Sequence, residues 1–263
     1  GYNNIEIPDN LHYNINIKSE KNNRPTQNKI SNYLAYNGFF EIMNNSLTKS
    51  AYAEHFNFID ETESVHLLNP LSSELNVVRQ TLLFSGLENI ARNTNNKRGD
   101  LKLFEFGKSY YKNKNASRQD SVTDQYKEKE WISLFVTGKN HDDLWYEAGK
   151  NLDFFYLKNI IENIFKLVNI NDLEIRIEGD ERFTSHLCYY KGGECLCTIG
   201  ELQPSILKYF DIKKPVFYAE INTNLLYSTC GGNVFYSQIP TFPAVKRDLA
   251  LVVDKNITYD TME

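Results

Sequence analysis

What this 263-residue chain lacks narrows its chemistry before any motif is read. No apolar run approaches the ~18 residues that a membrane-spanning helix needs. The N-terminus, GYNNIEIPDN, has neither an initiator Met nor a charged-then-apolar leader, so Gly1 is expected to be a cut inside a longer protein. Positive charge is not in excess. With 29 Lys and Arg against 34 Asp and Glu, the formal net charge is −5, a field that repels a phosphate backbone and confines nucleic-acid contact to local patches. The four cysteines, Cys188, Cys195, Cys197 and Cys230, include a pair spaced by one residue in ECLC, and no second Cys or His pair stands at zinc-ligand spacing. Reduced core thiols of a cytoplasmic protein are expected, with Cys195, Cys197 and Ile199 on one strand face. His12, His55, His66, His141 and His186 are scattered, none in a convincing nucleophile-and-base arrangement. Walker and dinucleotide glycine patterns are missing as well; Gly192-Gly193 and Gly231-Gly232 are lone pairs.

What is present is a globular pattern, 41% hydrophobic and long enough for a full core. Residues 1–25 are Asn-rich and polar and read as a connector. Pro25 and Thr26 open a helix with Ile30, Tyr33 and Leu34 on one stripe, ended by Gly38 as its left-handed residue. FFEIMNNSL is expected as a strand, Thr48 as the cap of a short helix to His55, and SVHLL as a strand. A helix is expected from about Thr81 to Asn93, then the long strand LKLFEFGKSYYK. The charged stretch 112–129 is expected to be a disordered loop. EWISLFVTG reads as a strand, and LDFFYLKNIIENIFKLVNI as a helix capped by Asp153. DLEIRIEG, HLCYYKGG and ECLCTIGEL read as strands, the last two a hairpin through Gly192-Gly193. Pro204 suits the first turn of a short helix, PVFYAEINTNLL reads as one more strand, and a boundary is expected near STCGGNVF. Strands linked by hairpins rather than by regular strand-helix alternation predict an α+β fold, a mainly antiparallel sheet flanked by helices.

The segments NPLSSELNVVRQTLL…LENIARNT, LKLFEFGKSYY, LDFFYLKNIIENIF, TIGELQPSILKYFDI and IPTFPAVKRDLALVVD, in this order, closely resemble the beta subunits of bacterial phenylalanyl-tRNA synthetases. One such motif is weak evidence; five in register are strong, because chance agreement multiplies down. The resemblance implies that residues 26–230 form a class II synthetase-like, non-catalytic module, and that 235–263 open a ferredoxin-like anticodon-binding domain. It implies an enzyme of two alpha and two beta subunits in the cytoplasm that attaches phenylalanine to its tRNA, using ATP and magnesium. No cofactor or metal is expected on this piece, because the family's editing site and magnesium-linked carboxylates lie upstream of Gly1. Two alternatives remain, a free-standing class II-type ligase and an RNA-binding module.

Class II synthetases hold phosphate charge with a strand-borne Arg, carboxylate-held magnesium and a later Gly-rich Arg motif. After the Phe-Gly of such a strand an Arg followed closely by Glu is typical; this chain has Lys108, Ser109, Tyr110, Tyr111 and Lys112. No catalytic residue is therefore assigned. Arg79 admits an ATP-contacting role, but pairing with Glu74, Glu105 or a backbone carbonyl is the preferred, structural reading. Glu105, without a second carboxylate at matching spacing, is read as a salt-bridged core edge rather than a metal ligand, on the same strand face as Gly107. Tyr33, Phe39, Phe40, Ile42 and Met43 are expected at the interface with the alpha subunit. The resemblance puts the dimer-forming helix and strand there, and consecutive apolar residues suit a strand covered on both faces. Lys246 and Arg247 are candidate tRNA phosphate contacts, with a solvated strand edge as the other reading.

Overall fold

The computed structural model describes residues 22–70, 72–116, 121–231, 236, 238–243, 245, 247–254, 257 and 262. The chain divides into two compact units, Gly1–Gly232 and Asn233–Glu263.

In the first unit, helix α1 (Arg24–Tyr36) starts with Pro25 in its first turn, where a missing N–H costs nothing, and buries Ile30 and Leu34. It stops because Gly38 adopts φ +79° and the Phe39 N–H returns to the Leu34 carbonyl. Two short strands, β1 (Phe40–Glu41) and β2 (Leu47–Thr48), precede helix α2 (Ala51–His55). Strands β3 (Val65–His66) and β4 (Val77–Val78) lead to helix α3 (Leu83–Asn95) and the long strand β5 (Leu101–Lys112). Strand β6 (Tyr126–Thr137) pairs with β5 from Lys112↔Tyr126 to Leu101↔Thr137. Helix α4 (Phe154–Leu167) has Asp153 as its cap, whose carboxylate accepts the Tyr156 N–H at 2.8 Å. Strands β7 (Glu174–Arg176), β8 (Phe183–Lys191) and β9 (Glu194–Leu202), helix α5 (Pro204–Tyr209), strand β10 (Val216–Asn222) and helix α6 (Thr223–Thr229) complete the unit.

Seven strands form the main sheet in the order β1-β5-β6-β10-β9-β8-β7, antiparallel throughout except for the parallel β1–β5 pair. Strands β2, β4 and β3 make a small second sheet. One face of the main sheet presents Phe104, Ile132, Leu134, Ala219 and Ile221 to α1, α4 and α6. The opposite face carries Leu103, Phe135, Phe183 and Tyr218 under α3, α5 and the Tyr52–Phe56 segment. Alternation along each strand sends successive side chains to opposite layers, which builds two cores on one α+β sheet.

Several expected elements differ. The strand over FFEIMNNSL is interrupted because Asn44 turns its backbone and side-chain amides to the Glu105 carboxylate, and the Asn45 side chain accepts the Leu47 N–H; both compete with a ladder. Thr48 lies in β2, and Ser50 precedes the short helix. Of the charged stretch expected as loop, residues 117–120 lie outside the described residues, and the described part includes the end of β5, a short 3-10 turn at Val122–Gln125 and the start of β6. Its charges face partners across the ladder, with Lys108 reaching Glu128 at 2.8 Å and Glu130 at 3.3 Å. The strand in PVFYAEINTNLL stops at Asn222, whose side chain caps α6 by accepting the Leu225 N–H. DLEIRIEG shortens to the three residues of β7. Cys195 does not share the face of Cys197 and Ile199. Tyr189 pairs with Cys197 and Tyr190 with Cys195, so the extra residue Leu196 forms a bulge that inverts the alternation.

In the second unit, residues 247–254 form no strand ladder, although RDLALVVD was expected as a strand. Among the described residues of that unit no partner edge is offered to it, and a lone strand leaves its N–H and C=O groups unpaired. Residues 1–21 of the expected connector lie outside the described residues.

Candidate functional site

Two polar clusters occupy the face of the main sheet that α3 and α5 cover. In the first, Arg79 follows β4 and crosses to β5. Its Nη1 donates to Glu105 Oε1 at 2.8 Å and its Nε to the Lys108 carbonyl at 3.0 Å. Both side chains are almost fully buried, 6% and 2% exposed, so neither charge is tolerable without the other. Asn44 Nδ2 donates to the second Glu105 oxygen at 2.7 Å, and Asn89 holds Asn44 in turn. Gly107 makes the crossing possible: a Cβ there would stand 2.5 Å from Arg79 Nη2 and 2.6 Å from Leu82 Cδ2. The three residues read as structural thus come together, and Glu74 instead pairs with Lys49.

The second cluster lies further along the same face, at a cavity of about 260 Å³ lined by Phe58, Ile59, Gln80, Thr81, Tyr111, Trp131, Asp180, Arg182 and Glu220. A hydrogen-bonded chain runs across two strands, β6 and β10, and the turn before β8. Ser133 Oγ lies 3.0 Å from the Tyr218 hydroxyl, which donates to Glu220 Oε2 at 2.8 Å. Arg182 Nη1 donates to Glu220 Oε1 at 3.0 Å, and its Nε and Nη2 reach Asp180 at 3.1 and 2.8 Å. Burial works against the Arg182 charge, but the attraction of Glu220 and the Asp180 bonds outweigh it and hold the guanidinium pKa well above its usual value. Burial likewise opposes the Asp180 charge, yet the Arg182 hydrogen bonds keep its pKa below the usual carboxylate value. Tyr218, fully buried and beside Glu220, is pushed far up and stays a neutral donor. On the cavity wall, the Tyr111 hydroxyl donates to the Gln80 carbonyl at 2.7 Å and Trp131 Nε1 to Ser109 Oγ at 2.7 Å. The cavity therefore has aromatic walls and one guanidinium balanced by two carboxylates.

The other expected site residues separate. Phe39 is 3% exposed and belongs to the core, Tyr33 and Ile42 are half-buried against the two cores, and Phe40 and Met43 stand 70% and 95% exposed. Arg247 is exposed, and Lys246 lies outside the described residues. The Asp180, Arg182 and Glu220 constellation was not read from the sequence. Its only sequence signal is a charged residue, Glu220, inside the otherwise apolar strand VFYAEIN.

Residues 7–223 match the family described as phenylalanyl tRNA synthetase beta chain CLM domain. The chain is 41% identical over its whole length to the phenylalanine-tRNA ligase beta subunit of Bacteroides thetaiotaomicron and 31% identical to that of Porphyromonas gingivalis, covering 33% of each. The corresponding Fusobacterium nucleatum subunit is 32% identical over 86% of the chain. The chain thus spans about a third of the length of these curated relatives. Among solved structures, Desulfitobacterium hafniense pyrrolysyl-tRNA synthetase superposes with a TM-score of 0.58 at 14% identity, over 80% of this chain and 69% of that one. At that identity the likeness shows the class II synthetase fold alone.

Proposed function

The chain belongs to the phenylalanyl-tRNA synthetase beta-chain family, and from that premise we propose that it is a non-catalytic scaffold within a cytoplasmic phenylalanine-tRNA ligase of two alpha and two beta subunits. ATP and magnesium serve the alpha subunit, which activates phenylalanine, while this module docks alpha and supports tRNA. The observation that carries the reading is the commitment of the two arginines on the cavity-bearing face, Arg79 buried and Arg182 half-buried. Arg79 is held by Glu105, and Arg182 is shared between Asp180 and Glu220. A polyphosphate needs uncompensated positive charge at its landing point, and a cavity whose one guanidinium faces two carboxylates opposes it. The residues lining the cavity do not fit ATP, and no catalytic step is assigned to them. Phe40 and Met43, with Tyr36, supply exposed apolar side chains for the alpha subunit, while Phe39 is buried in the core. Isothermal calorimetry of the chain with ATP, magnesium and phenylalanine is expected to give no saturable heat. Micromolar ATP binding overturns the reading.

A further inference from the structure

The scaffold role uses none of the cysteines, yet two of them converge on one hydroxyl. Cys188 Sγ in β8 and Cys195 Sγ in β9 each lie 3.6 Å from Thr198 Oγ1, so the sulfurs are no further apart than twice that distance. The bulge at Leu196 creates this meeting, because in a regular ladder Cys195 would fall on the core face with Cys197. Cys188 is 5% exposed and Cys195 is partly exposed, so a solute reaches Cys195 first.

The geometry points to Cys188 and Cys195 as a thiol-disulfide modification site for hydroperoxides, Cys195 reacting first and Cys188 closing the bond. The chemistry agrees with the placement. The neighbouring Cys188 thiol favours a Cys195 thiolate, whose pKa falls to about 7 despite partial burial. The Cys195 thiol beside it, with burial, pushes the Cys188 thiol up, so Cys188 keeps its proton. The Cys195 thiolate attacks one peroxide oxygen, the O–O bond breaks, hydroxide leaves, and a sulfenic acid forms. The Cys188 sulfur then attacks the Cys195 sulfur, and the S–O bond breaks as the hydroxyl departs with the Cys188 proton as water. Two thiols are oxidised by two electrons, and one hydroperoxide is reduced. Diagonal cross-strand neighbours stand roughly 7–8 Å apart at Cα, somewhat beyond disulfide range, so closure must draw β8 and β9 together. The bulge is where the ladder is already irregular enough to give. Thr198 pairs with Glu220 across β10, so the closure is felt at the edge of the cavity.

The test exposes the 263-residue chain to hydrogen peroxide at neutral pH, folded and in urea, followed by alkylation, digestion and mass spectrometry. The expected product is a peptide joining Cys188 to Cys195, reversed by dithiothreitol and formed at least about tenfold faster in the folded chain than in urea. In Cys188→Ser, dimedone should trap Cys195 as a sulfenic acid. A cross-link that forms no faster when folded overturns the proposal, as does oxidation of Cys230 while Cys188 and Cys195 stay alkylatable. The folded-against-urea comparison uses no substitution, so a misfolded variant cannot obscure it.

Discussion

Replacing Arg79 by Met removes the guanidinium from a pair whose side chains are 6% and 2% exposed, and keeps most of the aliphatic volume. Glu105 then retains only its Asn44 contacts, at 2.7 and 3.3 Å, for a charge with almost no access to water. Breaking one side of a buried ion pair costs about 3–5 kcal/mol. The Lys108 carbonyl also loses its 3.0 Å donor, but Lys108 is exposed and water can substitute, so this loss adds little. Adding Glu105→Gln to Arg79→Met removes the stranded charge, leaves an amide that hydrogen-bonds Asn44, and should recover at least about 2 kcal/mol of the single-variant loss, as expected for groups in direct contact. Urea unfolding followed by tryptophan fluorescence measures both, with Trp131 on the same sheet face as a reporter. For a unit of this size a 3–5 kcal/mol loss lowers the thermal midpoint by roughly 10 °C. A single variant costing under about 1 kcal/mol, or a double variant no more stable than the single, refutes the stranded-charge argument.

Gly86→Ala sets two effects against each other. A helix gains about 1 kcal/mol from Ala, but the new Cβ would sit 2.1 Å from Cζ of the fully buried Phe135 ring, and overpacking of about 1–3 kcal/mol should win; increased stability in urea would contradict this. Asp180 has a folded pKa below its ordinary 3.8, so its contribution is present above that value and lost as pH falls through the lowered one. Thermal melts across the acid range should therefore fall more steeply for the native chain than for Asp180→Asn, and identical slopes would exclude the Arg182 pairing as the cause. Phe40→Asp with Met43→Asp should leave the chain's own melting unchanged, since both side chains are exposed, while sedimentation with purified alpha subunit shows weakened assembly. Intact assembly would put the alpha interface elsewhere.

Where structure follows from neighbours along the chain, the sequence alone was sufficient. Pro25 and Gly38 bracket α1, the Ile160, Ile161, Ile164 stripe and Asp153 define α4, and Gly192-Gly193 turns β8 into β9, because caps, turns and helical periodicity act over a few residues. The α+β class and the family were legible for the same reason, being sums of such local signals. The interruption after β1 and the ordering of the charged stretch into β6 were not, because Asn44 and Lys108 answer to partners 61 and 20 residues away. Arg79 shows the limit well. Its sequence admitted Glu74, Glu105 or a carbonyl, and only the packing of β4 across β5 at Gly107 selected Glu105 and the Lys108 carbonyl. Arg182 and Glu220, 38 residues apart, left no joint trace in the sequence, since nothing local demands that a turn before β8 face the middle of β10. Charge and burial at a site are properties of which strands lie side by side, and strand order is set by the whole sheet's burial of its two faces, not by any segment of the chain.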